Sequence, residues 1–169
     1  RGGASDRETD LYGEAVDRTG PLQADGRTLT RRDSWRSLPA RDTSVQAEVE
    51  GKLQTGGLRH TVLAGVESWR LFMGQDIRYS TLASQPFAID IHTPTYGQAP
   101  GNLTPGFDTR DRQRATGLFV QDQMDLSERW KLLAGVRFDR YHQDYENRLN
   151  RAVQTQSHSA ATPRVGVTY

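Results

Sequence analysis

Residues 117–140 read GLFVQDQMDLSERWKLLAGVRFDR, and the alternation within them decides the fold. Two runs of alternating apolar and polar residues flank a short polar break, DLSER at 125–129. In the second run Leu132, Ala134, Val136 and Phe138 fall on one face, and Leu133, Gly135, Arg137 and Asp139 on the other. A period of two is extended strand, and two such runs about a short break predict an antiparallel hairpin. A hairpin with one apolar and one charged face needs an apolar partner for the first and water for the second. A membrane barrel supplies both, with lipid outside and a wet lumen inside.

The composition fits this reading. Mean hydropathy is −0.76 and charged residues make up 25% of the chain, so no window approaches the roughly 20 apolar residues of a transmembrane helix. A barrel tolerates such polarity, because only alternate strand positions are apolar and its loops are polar. The 22 basic residues are interleaved with 21 acidic ones for a net charge of +1, which argues against a nucleic-acid partner. Cysteine is absent, which excludes disulfides and thiolate metal sites. The sequence starts at Arg1 without an initiator Met or signal sequence and stops at Tyr169 within an alternating run, so it is expected to be a piece of a larger protein.

Working outward, the chain predicts an all-β antiparallel meander of about six strands and no helix. Residues 10–16 (DLYGEAV) form a weak strand leading into a turn-rich stretch at 17–28. A polar segment from Leu29 is interrupted at Pro39, and at 44–54 alternation becomes strict. There Val45, Ala47, Val49, Gly51 and Leu53 oppose Gln46, Glu48, Glu50, Lys52 and Gln54, in a run long enough for the roughly 9–11 residues of a tilted spanning strand. TGGL at 55–58 is a tight turn, since paired glycines adopt positive φ at little cost. The return at 59–72 places Val62, Ala64 and Val66 on the apolar face and Glu67 on the other. An irregular stretch at roughly 80–110 holds Pro86, Pro94, Pro100 and Pro105, and a polar loop at 147–158 precedes a last strand, 160–169, in which Val165 and Val167 alternate with Arg164 and Gly166. Short turns thus alternate with long loops, the pattern of short periplasmic turns and long extracellular loops in outer-membrane barrels.

Several phrases carry a family resemblance: TGGLRHTVLAGVE, IDIHTPTYG, TGLFVQDQMDLSERWKLLAGVRFDRY and TPRVGVTY. In this order and spacing they resemble the barrel region of TonB-dependent siderophore receptors, particularly the ferrichrome-type branch. The departures are small: Glu67 where an Asp is common, Thr93 where an Asn is common, and Phe119 and Phe138 where Tyr is common. The resemblance implies a 22-stranded transmembrane barrel with a plug in its lumen, in the outer membrane of a Gram-negative bacterium. It implies binding and import of a ferric siderophore, driven by TonB pulling on a box near the N-terminus. Residues 1–169 are then expected to be part of the barrel domain only, without plug or TonB box, so that TonB and the plug act through missing regions.

The alternation and the resemblance together nominate residues. Val45, Val49, Leu53, Val62, Val66, Leu132, Val136, Phe138, Val165 and Val167 are expected to face lipid, and Glu50, Glu67, Arg137 and Asp139 the lumen. Siderophore pockets in ferrichrome-type members are lined by aromatics where strands rise above the membrane, and the resemblance puts Tyr12 and Tyr79 at such junctions. Phe87 and Tyr96 lie on the long loop and could cover the pocket. The plainer role for these rings, and for Trp130 beside the short turn, is the aromatic girdle at headgroup level. His60, His92, His142 and His158 have no ligand spacing, and a siderophore holds iron with its own oxygens, so neither metal site nor cofactor is expected. Arg137 and Asp139, two apart on one strand face, read as a lumen ladder rather than acid–base chemistry, and no nucleophile-elbow glycines surround any Ser, so no enzyme is expected.

Two other readings of the alternation stay open. A passive porin-like barrel predicts the same strands without the ordered phrases. A soluble β-barrel binding module needs the apolar face buried in a core, for which Ala47, Gly51, Ala64 and Ala134 are small and about six strands few.

Overall fold

Alternation sustained over long runs produces long strands. The computed structural model describes the backbone of residues 1–9, 12–80, 88–97 and 102–169, and their side chains other than those of 9, 12–21 and 33. The strands are β1 (Gly2–Thr9), β2 (Tyr12–Leu22), β3 (Thr28–Ser37), β4 (Ala40–Thr55), β5 (Leu58–Tyr79), β6 (Ile89–Asp90), β7 (Thr104–Asp125), β8 (Lys131–Asn147) and β9 (Ala152–Thr168). They form one antiparallel sheet in the order β1-β4-β5-β7-β8-β9, while β3 pairs with β2, with the end of β5 and with β6. Chain order and sheet order coincide along β4, β5, β7, β8 and β9, which makes this part a meander.

The two ends of the sheet differ. At one end Gly56 and Gly57, at φ 53° and 89°, close the β4–β5 hairpin in a turn open to few residues other than glycine. At the same end, residues 126–130 join β7 to β8, with the Ser127 hydroxyl accepting from the amides of Arg129 and Trp130. At the other end the strands run far past the apolar band. Residues 17–22, expected to be turn, continue β2, and the turn shrinks to 23–27, where Gly26 sits at φ 65° and Asp25 accepts from the amides of Arg27 and Thr28.

The polar loop expected at 147–158 is likewise mostly strand. Its only irregular part is 148–151, closed by Arg151 in the left-handed region, while β9 begins at Ala152. The polar segment from Leu29 is β3 and the start of β4, and β7 begins at Thr104 rather than after Arg110. The common reason is that a strand with water on both faces has no cause to alternate in polarity, so these stretches read as loops. The contrast between the ends therefore lies in strand extension, with one long connection at 80–103.

Pro39 explains the break between β3 and β4. It lacks an amide for the ladder, and its carbonyl instead accepts from the Gly74 amide at 2.8 Å. Gly74 gives it room, because a Cβ there would lie 2.8 Å from Pro39 Cγ. Beyond this break, β6 docks on the tip of the β2–β3 hairpin through Thr28↔Asp90 and Leu29↔Ile89. The most deeply buried apolar side chains among the described residues, Ile77 and Ile89, lie at this end, with Ser34 fully buried nearby.

Candidate functional site

Directly opposed residues of an antiparallel pair share a face, so the register sorts every strand position. One face carries, row by row, Leu53–His60–Met124–Leu132–Val167, then Gly51–Val62–Asp122–Ala134–Val165, Val49–Ala64–Val120–Val136–Pro163 and Ala47–Val66–Leu118–Phe138–Ala161. With Val45 in the next row, this apolar face holds all ten residues named above for lipid. Val49, Val165 and Val167 are more than 60% exposed, which is costly for valine in water. From Val45 to Leu53 the band covers roughly 26 Å of strand at about 3.3 Å per residue.

The opposite face is polar. Its rows include Glu67–Gly117–Asp139 and Gly65–Phe119–Arg137, with Glu50 opposite Leu63. Arg137 is the hub: Nη2 donates to Glu67 Oε2 at 3.1 Å, and Nε donates to Asp139 Oδ1 at 2.8 Å. Gly117 lies between the two acids, and a Cβ there would collide with the guanidinium. Above this cluster Trp69 and Tyr141 pack with ring centroids 6.2 Å apart, and Asp111 accepts from Gln113 and Gln143. Trp69 and Tyr141 escaped the sequence reading, although parity with Glu67 and Asp139 is sufficient to place them here.

One polar group interrupts the apolar face. Asp122 Oδ2 meets His60 Nδ1 at 2.7 Å, and His60 Nε2 meets the Thr55 hydroxyl at 2.7 Å. A neutral imidazole protonated on Nδ1 satisfies both contacts, donating to the carboxylate and accepting from the hydroxyl. His60 is thus held in a chain near the short-turn end rather than solvated, and Asp122 Oδ1 is buried without a partner. The signal was legible: in FVQDQM, Asp122 occupies a position where alternation calls for an apolar residue.

The remaining candidates are scattered along the far end. Tyr12 opens β2 opposite Ser37, past the apolar band and short of the hairpin tip. The Tyr79 ring has the Arg32 guanidinium 3.8 Å from its centroid and Phe107 edge-on at 6.5 Å. Tyr96 is 72% exposed, and Phe87 lies outside the described residues. Trp130 packs on Tyr169 at 4.7 Å at the short-turn end. His142 is held by Ser157 and Asp144, His158 stands opposite Tyr141, and His92 follows β6. Among the described residues no group of three or more His, Asp or Glu is arranged to hold a metal ion. The geometry is that of a two-faced wall.

Comparison with known proteins agrees. The family described as TonB dependent receptor-like, beta-barrel matches residues 3–169. A metal-pseudopaline receptor of Pseudomonas aeruginosa is 40% identical over 158 residues, which is 88% of this chain and 22% of that protein. A ferrioxamine B receptor of Salmonella typhimurium is 31% identical over 57% of this chain and 13% of its own length. The chain therefore spans about a fifth or less of these relatives. Among solved structures, the siderophore receptor PiuA of Acinetobacter baumannii superposes with a TM-score of 0.68 at 16% identity, over 99% of this chain and 27% of that one. The ferric citrate transporter FecA gives 0.67 at 15% identity, over 98% and 25%, and both show likeness of fold alone. The match along nearly all of its length means that this chain belongs to the TonB-dependent receptor β-barrel family.

Proposed function

We propose that this sheet is a sector of the wall of an outer-membrane receptor that captures a metal chelate of the siderophore class and imports it with energy delivered by TonB. The apolar face lies against lipid, and the polar face, with Glu50, Glu67, Arg137 and Asp139, looks into the lumen toward plug and ligand. The observation that carries the reading is the two-faced sheet of long strands in a chain of this family. Its edges, β1 and β9, need further strands to close a barrel, the arrangement that removes free edges from a membrane. The extended strand ends stand outside the cell, and Tyr12, Tyr79, Phe87 and Tyr96 are the proposed ligand contacts there.

The ligand class follows from kinship with receptors for metal-pseudopaline and ferrioxamine B. Ferrichrome-like chelates are the narrower case that the phrase resemblance favours. The test is uptake of radiolabelled metal by a Gram-negative host with and without the intact receptor, supplied with ferrichrome, ferrioxamine B or pseudopaline chelates. Receptor- and TonB-dependent uptake of at least one chelate is expected. Uptake unchanged for all of them, or receptor recovered outside the outer membrane, contradicts the proposal.

A further inference from the structure

Above the Arg137 cluster the two faces of the sheet differ sharply in charge. The face that bears the apolar band carries Arg41, Arg70, Arg112, Arg114 and Arg140 at this height, with Arg70 and Arg114 directly opposed. On the polar face the same stretch reads, row by row, Ser44–Trp69–Ala115–Tyr141–His158, then Asp42–Leu71–Gln113–Gln143–Gln156, then Ala40–Met73–Asp111–Tyr145–Gln154. These three rows contain no lysine or arginine. The arginine beside them on β1, Arg7, stands opposite Asp42. Below them Arg137 is taken by Glu67 and Asp139, and above them Arg36 stands opposite Ile77 while Arg32 lies on the Tyr79 ring.

The polar side chains of these rows are wired in one direction. Tyr141 Oη donates to Gln143 Oε1 at 3.2 Å, and Gln156 Nε2 donates to the same oxygen at 2.9 Å. Gln143 Nε2 in turn donates to both oxygens of Asp111 at 2.9 Å, and Gln113 Nε2 donates to Asp111 Oδ2 at 2.8 Å. The run of dipoles therefore ends on a carboxylate whose partners among the described residues are neutral amides, so its negative charge is not cancelled. Two half-buried rings, Trp69 and Tyr141, border the patch from below with centroids 6.2 Å apart, and Tyr145 stands in the Asp111 row. From the Trp69 row to the Asp111 row is about 14 Å along the strand, so rings and carboxylate frame one surface.

We propose that this surface selects metal chelates by charge, holding one that carries an ammonium group or a neutral amide surface and turning away an anionic one. Asp111 supplies the attraction for a cation, and the faces of Trp69 and Tyr141 add to it through their ring quadrupoles. The Gln113 and Gln156 carbonyls, unused within the network, accept N–H groups of the ligand. An anion brought to the same place loses water against a carboxylate and meets no guanidinium. Selectivity of this kind comes from the repelled ligand as much as from the accepted one. It rests on the receptor reading above and adds the charge class of the ligand to it.

The test uses the intact receptor purified in non-ionic detergent and three ferric complexes on one trihydroxamate core. They are ferrioxamine B with its terminal ammonium free, the same molecule N-acetylated, and the same molecule N-succinylated, so that the end group is positive, neutral or negative. Equilibrium binding is read with radiolabelled iron. The positive form is expected to bind at least about tenfold more tightly than the negative one, with the neutral form between them. In the D111N variant the three affinities are expected to fall within about twofold of one another. The W69L variant, expected to lose part of the preference, serves if D111N does not fold. Equal or reversed affinities, a preference unaltered in the variants, or binding of none of the three overturns the charge selection. Cellular uptake separates the two levels: uptake of anionic chelates alone sinks only the charge selection, whereas uptake of no chelate sinks the receptor reading beneath it.

Discussion

Arg137 on β8 and Glu67 on β5 form a 3.1 Å ion pair although β7 runs between their strands. The pair exists because β7 presents Gly117 at the crossing, in register with Glu67 on one side and Asp139 on the other. The missing side chain creates the channel for the guanidinium, and the charges link three strands of the wall.

Gly117→Ala is expected to push the guanidinium aside and uncouple Glu67 from Arg137. Both partners are more than a third exposed, so the stability loss should stay within about 1 kcal/mol. Urea titration of the intact receptor in bilayers checks this. A loss like that of Arg137→Gln alone is expected; no loss in either variant means that the ion pair contributes little, and a loss well above that range points to a backbone clash instead.

Two glycines in neighbouring strands should respond in opposite ways. At Gly65 a Cβ would collide with the Phe119 ring and would sit 3.1 Å from the Ala47 carbonyl. Gly65→Ala is therefore expected to destabilise by about 1–3 kcal/mol. At Gly51 nothing lies within 4 Å and φ is not positive, so Gly51→Ala should be neutral or stabilise by about 0.4–1 kcal/mol. Equal midpoint shifts for the two variants would remove Phe119 from the account.

Asp90 ties the long connection to the β2–β3 tip. The His92 amide donates to its carboxylate at 2.8 Å and Arg27 at 2.6 Å, and its pKa falls to about 2 from the ordinary 3.8. Because the folded value is the lower one, the carboxylate's contribution is present above about pH 4 and is lost as pH falls toward 2. Pepsin cleavage within 88–97 should accelerate over that interval relative to Asp90→Asn, in which it is fast throughout. Parallel pH profiles for the two proteins contradict the anchoring role.

Tyr12→Ala in the intact receptor is expected to weaken chelate binding by about 1–3 kcal/mol, or roughly 5- to 100-fold, with receptor abundance unchanged. Equilibrium binding of radiolabelled chelate to cells with matched receptor levels measures it. Unchanged affinity assigns Tyr12 to the girdle.

How much of this was legible in the sequence depended on what touches each face. Between Val45 and Leu53, and between Leu132 and Phe138, one face is apolar and the other polar, alternation is strict, and strands and faces could be read directly. Thr155 to His158 lie within β9, yet both faces there are polar and the pattern vanishes. There the sequence reading placed a loop. Cross-strand relations such as Arg70 facing Arg114, or Glu67 reaching Arg137 over Gly117, require the pairing partner, which alternation alone does not supply.

The central claim is that Val136 and Arg137 look out of opposite sides of the wall. Val136→Arg should cost about 2–4 kcal/mol near the bilayer midplane, whereas Arg137→Val should cost less. The most direct measurement attaches nitroxide labels at 136 and at 137 in the intact receptor in bilayers and compares their accessibility to oxygen and to a water-soluble nickel chelate. Position 136 is predicted to favour oxygen, as lipid does, and position 137 the nickel chelate. The reverse assignment, or water at both, contradicts the account.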